Sequence, residues 1–164
     1  MSCATANYRI MIMKANDYFD NDWYGIYTSC NHLDRFYFVT RKNDTDKGGN
    51  YDASISNNQW SYMVFTKTGL STYFYINGKN VASGDAYSDL NTTTENFYIM
   101  GNPGYSRVTP GVIDEIRLYS SAISSSRIKE QYYTGLNNLL ANNGIAMVEY
   151  IDRIKNLSSI NNLL

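Results

Sequence analysis

The chain is short of charge, of histidine and of cysteine, and each shortage removes a class of function. Its 164 residues carry 14 Lys and Arg against 15 Asp and Glu, so the net charge is −1. The basic residues are scattered along the chain. Counterion release from phosphates needs a concentrated basic face, so nucleic acid is not an expected partner. A single histidine, His32, leaves little for metal binding or acid–base chemistry. Cys3 and Cys30 are the two cysteines; they can form a disulfide, but two isolated thiols are the expected state. No apolar run reaches the ~20 residues that span a bilayer. The opening "MSCATANYRIMIMKAN" lacks the charged-then-apolar order of an export signal and reads as a strand.

What the chain has is tyrosine. Aromatics make up 15% of it, including 16 Tyr, amid many Asn, Ser and Thr. Tyrosine suits half-buried pleated surfaces. The length fits one domain with a small appendage and is enough for a real core.

Period-two alternation begins at once, with Tyr8, Ile10 and Ile12 set against Arg9, Met11 and Met13 in "NYRIMIMK". "DWYGIYTS" and "RFYFVTRK" continue the pattern, and "NDTDKGGNYDASISNNQ" (Asn43 to Gln59) reads as a long loop with two adjacent glycines. In "WSYMVFTKTG" the residues Tyr62 to Phe65 are all apolar, which predicts a strand covered on both faces. Asn77-Gly78, between "STYFYI" and "KNVASG", tolerates the positive φ angles of a two-residue type I′ hairpin. "NFYIMGN" and "GVIDEIRLYS" complete about eight strands, the spacing of an all-β sandwich.

After Ser126 the period changes. Ile128, Tyr132, Leu136, Leu139 and Leu140 form a helical stripe, with Ser124, Ser125 or Ser126 as N-cap and Gly144 as the left-handed C′ residue. A second helix, about Met147 to Asn156, puts Val148, Ile151 and Ile154 or Lys155 on one face. The expected organisation is a sandwich over 1–123, a helical hairpin packed on it over 124–157, and a frayed tail over 158–164.

This ordered set resembles the laminin-G-like branch of the concanavalin A-like lectin/glucanase superfamily. Trp60, Asn77-Gly78, Gly101, Gly111, Asp114-Glu115, Tyr119 and Ile128 stand at the matching positions, over about Tyr8 to Tyr133. The resemblance implies a concanavalin A-like jelly roll, a surface or extracellular setting, and structural roles for Trp60, Asn77, Gly78, Gly111, Glu115 and Tyr119. The tail "QYYTGLNNLLANNGIAMVEYIDRIKNL" is similar to the C-terminal tail of bacterial type IV pilin-like proteins, although Ala146 stands where a Ser or Thr cap is expected. Members usually begin with further strands, the first of which pairs with the final Asp-Glu strand. The N-terminal part of the jelly roll is therefore expected to be incomplete, leaving the edge of "VIDEIRLYS" open to self-association.

Candidate sites follow. The resemblance allows calcium at Asp114, against the favoured reading of a buried carboxylate held by backbone amides. Asp44, Asp46, Asn50 and Asp52, with Gly49 at the sixth place, are similar to an EF-hand loop, but Ile55 stands where the bidentate Glu belongs. Asp17, Asp20 and Asp22 form a second acidic turn; both clusters read as solvated turns, so no cofactor is required. Tyr51, Tyr87 and Tyr105 fall in predicted loops, where aromatic faces can stack on sugar rings.

Catalysis is not expected. Glu95, Glu115, Glu130 and Glu149 sit in separate segments, with none of the clustered acids of the glucanases that the resemblance brings in. Cys30 and His32 are two apart, which reads as coincidence rather than a nucleophilic pair. The leading expectation is a non-catalytic module binding glycan or protein. The alternative is a structural domain of a pilin-like filament protein, and a glycoside hydrolase relative comes third.

Overall fold

In the computed structural model the described residues are 8–15, 22–29, 35–52, 59–90, 96–101 and 108–158. They form two antiparallel sheets and a C-terminal helical pair. Strands β1 (Tyr8–Lys14), β2 (Trp23–Ser29), β3 (Arg35–Lys42), β4 (Thr45–Asp52) and β8 (Phe97–Ile99) make a five-stranded sheet in the order β4-β3-β2-β1-β8. Strands β5 (Met63–Thr68), β6 (Ser71–Ile76) and β7 (Lys79–Asp85) make a three-stranded sheet in chain order. This is the predicted sandwich.

Its core is aromatic. Phe74 of β6 is fully buried, with ring centroids 6.0 Å from Phe36 and 5.6 Å from Phe38 of β3. Phe38 also meets Phe65 of β5 at 5.3 Å, so side chains from both sheets interdigitate. The five-stranded sheet buries its other face as well. Ile10, Met13, Trp23, Tyr27 and Val39 form a second cluster, with Tyr37 stacked on Tyr27 at 4.9 Å. Strict alternation fails here: a bulge between Ile10 and Ile12 puts Ile10 and Met13 on one face, both fully buried.

The Asn77-Gly78 turn forms as predicted, with φ of 51° and 79° and Ile76 paired to Lys79. The expected long loop after Asn43 is not a loop. Asn43 and Asp44 take φ of 49° and 61°, make a second two-residue hairpin turn, and start β4, which pairs with β3 through Asp52. The glycines of β4 are packing residues. A Cβ on Gly84 of β7 would stand 2.5 Å from the Gly48 carbonyl oxygen, and one on Gly49 would stand 2.6 Å from the Phe38 ring. The two sheets close along this seam because side chains are missing from it.

β5 begins at Met63, later than Trp60, and Met63, Val64 and Phe65 are only half-buried. A larger departure is "GVIDEIRLYS", expected as the last strand. Among the described residues it joins no ladder. Val108 makes a single parallel bridge to Ile10, and Thr109 Oγ1 donates to the Ile10 carbonyl at 2.6 Å. Gly111 then takes φ of 142° and Glu115 φ of 55°, so the run is not continuously extended. A strand needs a neighbour, and among the described residues this one has none.

Helix α1 (Ser125–Ala141) is capped by Ser124, whose Oγ accepts the Arg127 N–H at 3.2 Å. Ile128, Tyr132 and Leu136 are its buried stripe, as predicted. At its end Asn143, not Gly144, is left-handed, with φ of 56°. The Gly144 N–H bonds the Leu139 carbonyl and the Asn143 N–H bonds that of Leu140, the paired bonds of a Schellman cap. Helix α2 (Met147–Ser158) turns in Tyr150, Ile154 and Leu157 towards Leu136 and Ile145. Of the predicted face only Ile154 packs inward; Val148 is 68% and Ile151 42% exposed. No helix among the described residues is long and apolar enough to cross a membrane.

Candidate functional site

Strand direction sorts the connections to two ends. At one lie the Asn43-Asp44 turn, the Gly69-Leu70 turn, Asp22 before β2, and Ala86–Leu90 after β7. Two backbone amides tie these loops together: Ala86 N–H donates to the Leu70 carbonyl at 2.7 Å, and Asn43 N–H to Asp22 Oδ1 at 3.1 Å. At the other end the Asn77-Gly78 turn meets the helices. A Cβ on Gly78 would lie 3.3 Å from both Tyr132 and Leu157.

The helical end is a packed joint. Tyr62 stacks on Tyr132 with centroids 6.1 Å apart, and Asn77 Oδ1 accepts the Tyr62 N–H at 2.9 Å. Tyr62 donates its hydroxyl to Gln131 Oε1 at 2.7 Å, and Gln131 Nε2 donates to the Tyr119 hydroxyl at 2.8 Å. Arg153 of α2 donates to the Trp60 carbonyl at 3.0 Å, while the Trp60 side chain stays 49% exposed. Burial raises the Tyr62 hydroxyl pKa above the ordinary value, with Tyr119 adding and Arg117 opposing. Burial likewise raises Tyr132, partly offset by Arg153.

The loop end presents polar groups and one held aromatic ring. Tyr87 is half-buried; its N–H donates to Thr40 Oγ1 at 3.4 Å, and Lys47 Nζ stands 4.6 Å from its ring centre. A cation over an exposed ring contributes ~0.5–1 kcal/mol. Lys42 Nζ donates to Asp89 Oδ2 at 2.8 Å, and that bond, with a smaller one from Ser88, holds the Asp89 carboxyl below the usual range. Lys67 Nζ donates to the carbonyls of Ser88 at 3.0 Å and Gly69 at 3.2 Å. Three lysines thus frame the segment 87–89. Such a rim can offer an aromatic edge and fixed donors to a polar ligand.

The other predicted site residues are dispersed. Tyr51 is in β4, not in a loop; its edge meets Phe74 at 6.3 Å, inside the sandwich. Tyr105 lies outside the described residues, as do Cys3, Cys30, His32, Asp17, Asp20 and Glu95. Asp44 and Asp46 share Arg41, at 3.3 and 3.1 Å, so a guanidinium occupies the space between them. Asp52 ends β4, six residues along the strand from Asp46, or ~20 Å at strand rise. Asp114 is exposed, against the expectation of burial, although its Oδ1 does accept an amide, that of Glu115 at 2.8 Å. Among the described residues no three His, Cys, Asp or Glu are placed to hold one metal ion.

Lys42, Lys47, Lys67 and Asp89 did not stand out in the sequence. The signal that locates Lys42 and Lys47 is the Asn43-Asp44 pair after "RFYFVTRK", which marks a hairpin and so folds Lys47 back beside Thr40.

A comparison with curated protein sequences returns no match. Among solved structures the chain is similar to a segment of an S-layer domain-containing protein from Clostridium thermocellum, at 19% identity and a TM-score of 0.40. The likeness covers 80% of this chain and 66% of that one, so the chain spans just under two thirds of that structure's length. A family model is decisive where that likeness is not. The Laminin_G_3 model, of the concanavalin A-like lectin/glucanases superfamily, matches residues 2–129, the stretch that builds both sheets and enters α1. With two facing antiparallel sheets over the same residues, the chain belongs to the concanavalin A-like lectin/glucanase superfamily, as a laminin-G-like member.

Proposed function

We propose that the chain is a non-catalytic recognition module of a cell-surface protein, taking a glycan or a protein at the loop end of the sandwich. The observation that carries this reading is Tyr87, fixed at the rim by the Thr40 bond and the Lys47 ammonium, beside the Lys42–Asp89 pair. A rigid aromatic next to polar donors with little conformational freedom left to lose is suited to a polyhydroxylated or polar surface. Family membership supports the same reading, and the extracellular setting goes with it.

The glutamates support the non-catalytic part. Glu115, Glu130 and Glu149 each pair with their own arginine, Arg117, Arg127 and Arg153, in separate elements. No two of them are arranged as an acid and a nucleophile on one strand. Calcium is not needed in this reading, since a metal at Asp44 and Asp46 would have to displace Arg41.

A glycan panel followed by titration calorimetry tests it. Tyr87→Ala abolishes saturable binding, Tyr51→Ala acts through stability alone, and chelator changes neither. Binding unaffected by Tyr87→Ala sinks the site, and turnover of any polysaccharide sinks the non-catalytic claim. A structural domain of a pilin-like filament is the second reading. It is favoured by the exposed apolar face of α2, where Met147, Val148 and Ile151 lie together.

A further inference from the structure

Val112–Tyr119 has the composition of a strand without the pairing of one. Val112 is 80%, Leu118 71%, Tyr119 49% and Ile116 40% exposed. Among the described residues no backbone hydrogen bond joins this segment to a neighbouring strand. Among the described residues its polar contacts are local or through side chains: the Asp114–Glu115 bond, the Arg117–Glu115 ion pair at 2.6 Å, and the Gln131 donation to Tyr119. Glu115 is held at φ of 55°, a region glutamate rarely enters and a continuous strand would not use. An apolar segment with unpaired backbone is a template for a strand from another chain.

The order of its charges says which chain. A two-fold axis through an antiparallel pair of identical strands sets residues of like parity opposite each other. With the axis at Ile116, that residue faces its own copy, Glu115 faces Arg117 of the second copy on both sides of the axis, and Ile113 faces Tyr119. Moving the axis to Glu115 or Arg117 sets like charges face to face, which destabilises a pair. Only the Ile116 register gives two opposite-charge pairs.

We propose that two copies of this chain dimerise by antiparallel pairing of Val112–Tyr119 about Ile116. Glu115 becomes extended, and each Glu115–Arg117 pair within a chain is exchanged for two across the axis. This goes beyond the recognition reading and does not depend on it, because among the described residues the segment shares no contact with Tyr87: Tyr119 meets Gln131 of α1, whereas Tyr87 meets Thr40 and Lys47.

Sedimentation equilibrium from low micromolar to millimolar concentration tests it on the full chain. Wild type shows a reversible monomer–dimer equilibrium. Arg117→Glu weakens it roughly tenfold or more, since both cross-axis pairs become repulsive. Glu115→Arg does the same, and the double exchange restores dimer. Both side chains are exposed, so at concentrations where wild type is monomeric these variants keep its melt. In a background with Cys3 and Cys30 replaced by serine, Ile116→Cys forms an intermolecular disulfide under mild oxidation. A monomer at every concentration, a double exchange that does not restore the dimer, or no cross-link at position 116 overturns the proposal.

Discussion

The two ends of the sandwich use the same turn for opposite purposes. Asn43-Asp44 and Asn77-Gly78 are both two-residue turns with positive φ at each central residue. The first stands in solvent, and Asp44 and Lys42 beside it reach out to Arg41 and Asp89. The second is driven under Tyr132 and Leu157, and its asparagine holds the start of β5. Local chemistry decides that a turn forms. What packs against it decides whether the turn presents groups or anchors a helix.

Breaking the anchored end has the largest expected effect. Leu136→Ala leaves a cavity in the helical cluster and lowers stability by about 3 kcal/mol in denaturant titration. Ligand binding at the loop end, measured under folding conditions, stays at the wild-type level. Substitution within the turns follows. Gly78→Ala costs about 2–3 kcal/mol, since strained φ adds to crowding by Tyr132 and Leu157. Gly69→Ala, at φ of 53° but with open space around it, costs about 1 kcal/mol. Equal losses at the two glycines would show that the helices do not bear on Gly78.

Alkali sharpens the contrast more gently. Tyr62 and Tyr132 have raised pKa values when folded, so the unfolded chain loses their protons first. Their stabilisation is intact below the ordinary tyrosine value of about 10 and is lost as pH climbs from there towards the folded values. Thermal melts across that window fall, and fall less steeply in Tyr62→Phe. The smallest effects are gains. Asp44→Gly relieves the second turn position and adds about 0.5 kcal/mol in thermal denaturation, because the exposed pair with Arg41 is worth little. Thr28→Val removes a buried hydroxyl with no hydrogen-bond partner among the described residues and raises stability by up to about 1 kcal/mol.

Features set by neighbours in the chain were legible beforehand. The Asn77-Gly78 hairpin, the serine cap and the buried stripe of α1 depend on residues within a turn or two. β4 was hidden because "TDKGGNYD" is polar and its glycines look like loop residues until β7 lies across them. That hidden strand also misplaced Tyr51, which sequence reasoning set in a loop. The face of α2 was ambiguous because both sides of the helix carry apolar residues. "GVIDEIRLYS" alternates like a strand, but alternation alone supplies no neighbour, and among the described residues it joins no sheet.

The glycine seam between β4 and β7 also sets how the sequence can drift. Gly48, Gly49 and Gly84 meet backbone or ring atoms with no room for a methyl group. In a saturation library selected for folding, these three columns would be as invariant as Phe74. They would stand in the middle of hydrophilic stretches that a hydropathy plot marks as freely replaceable.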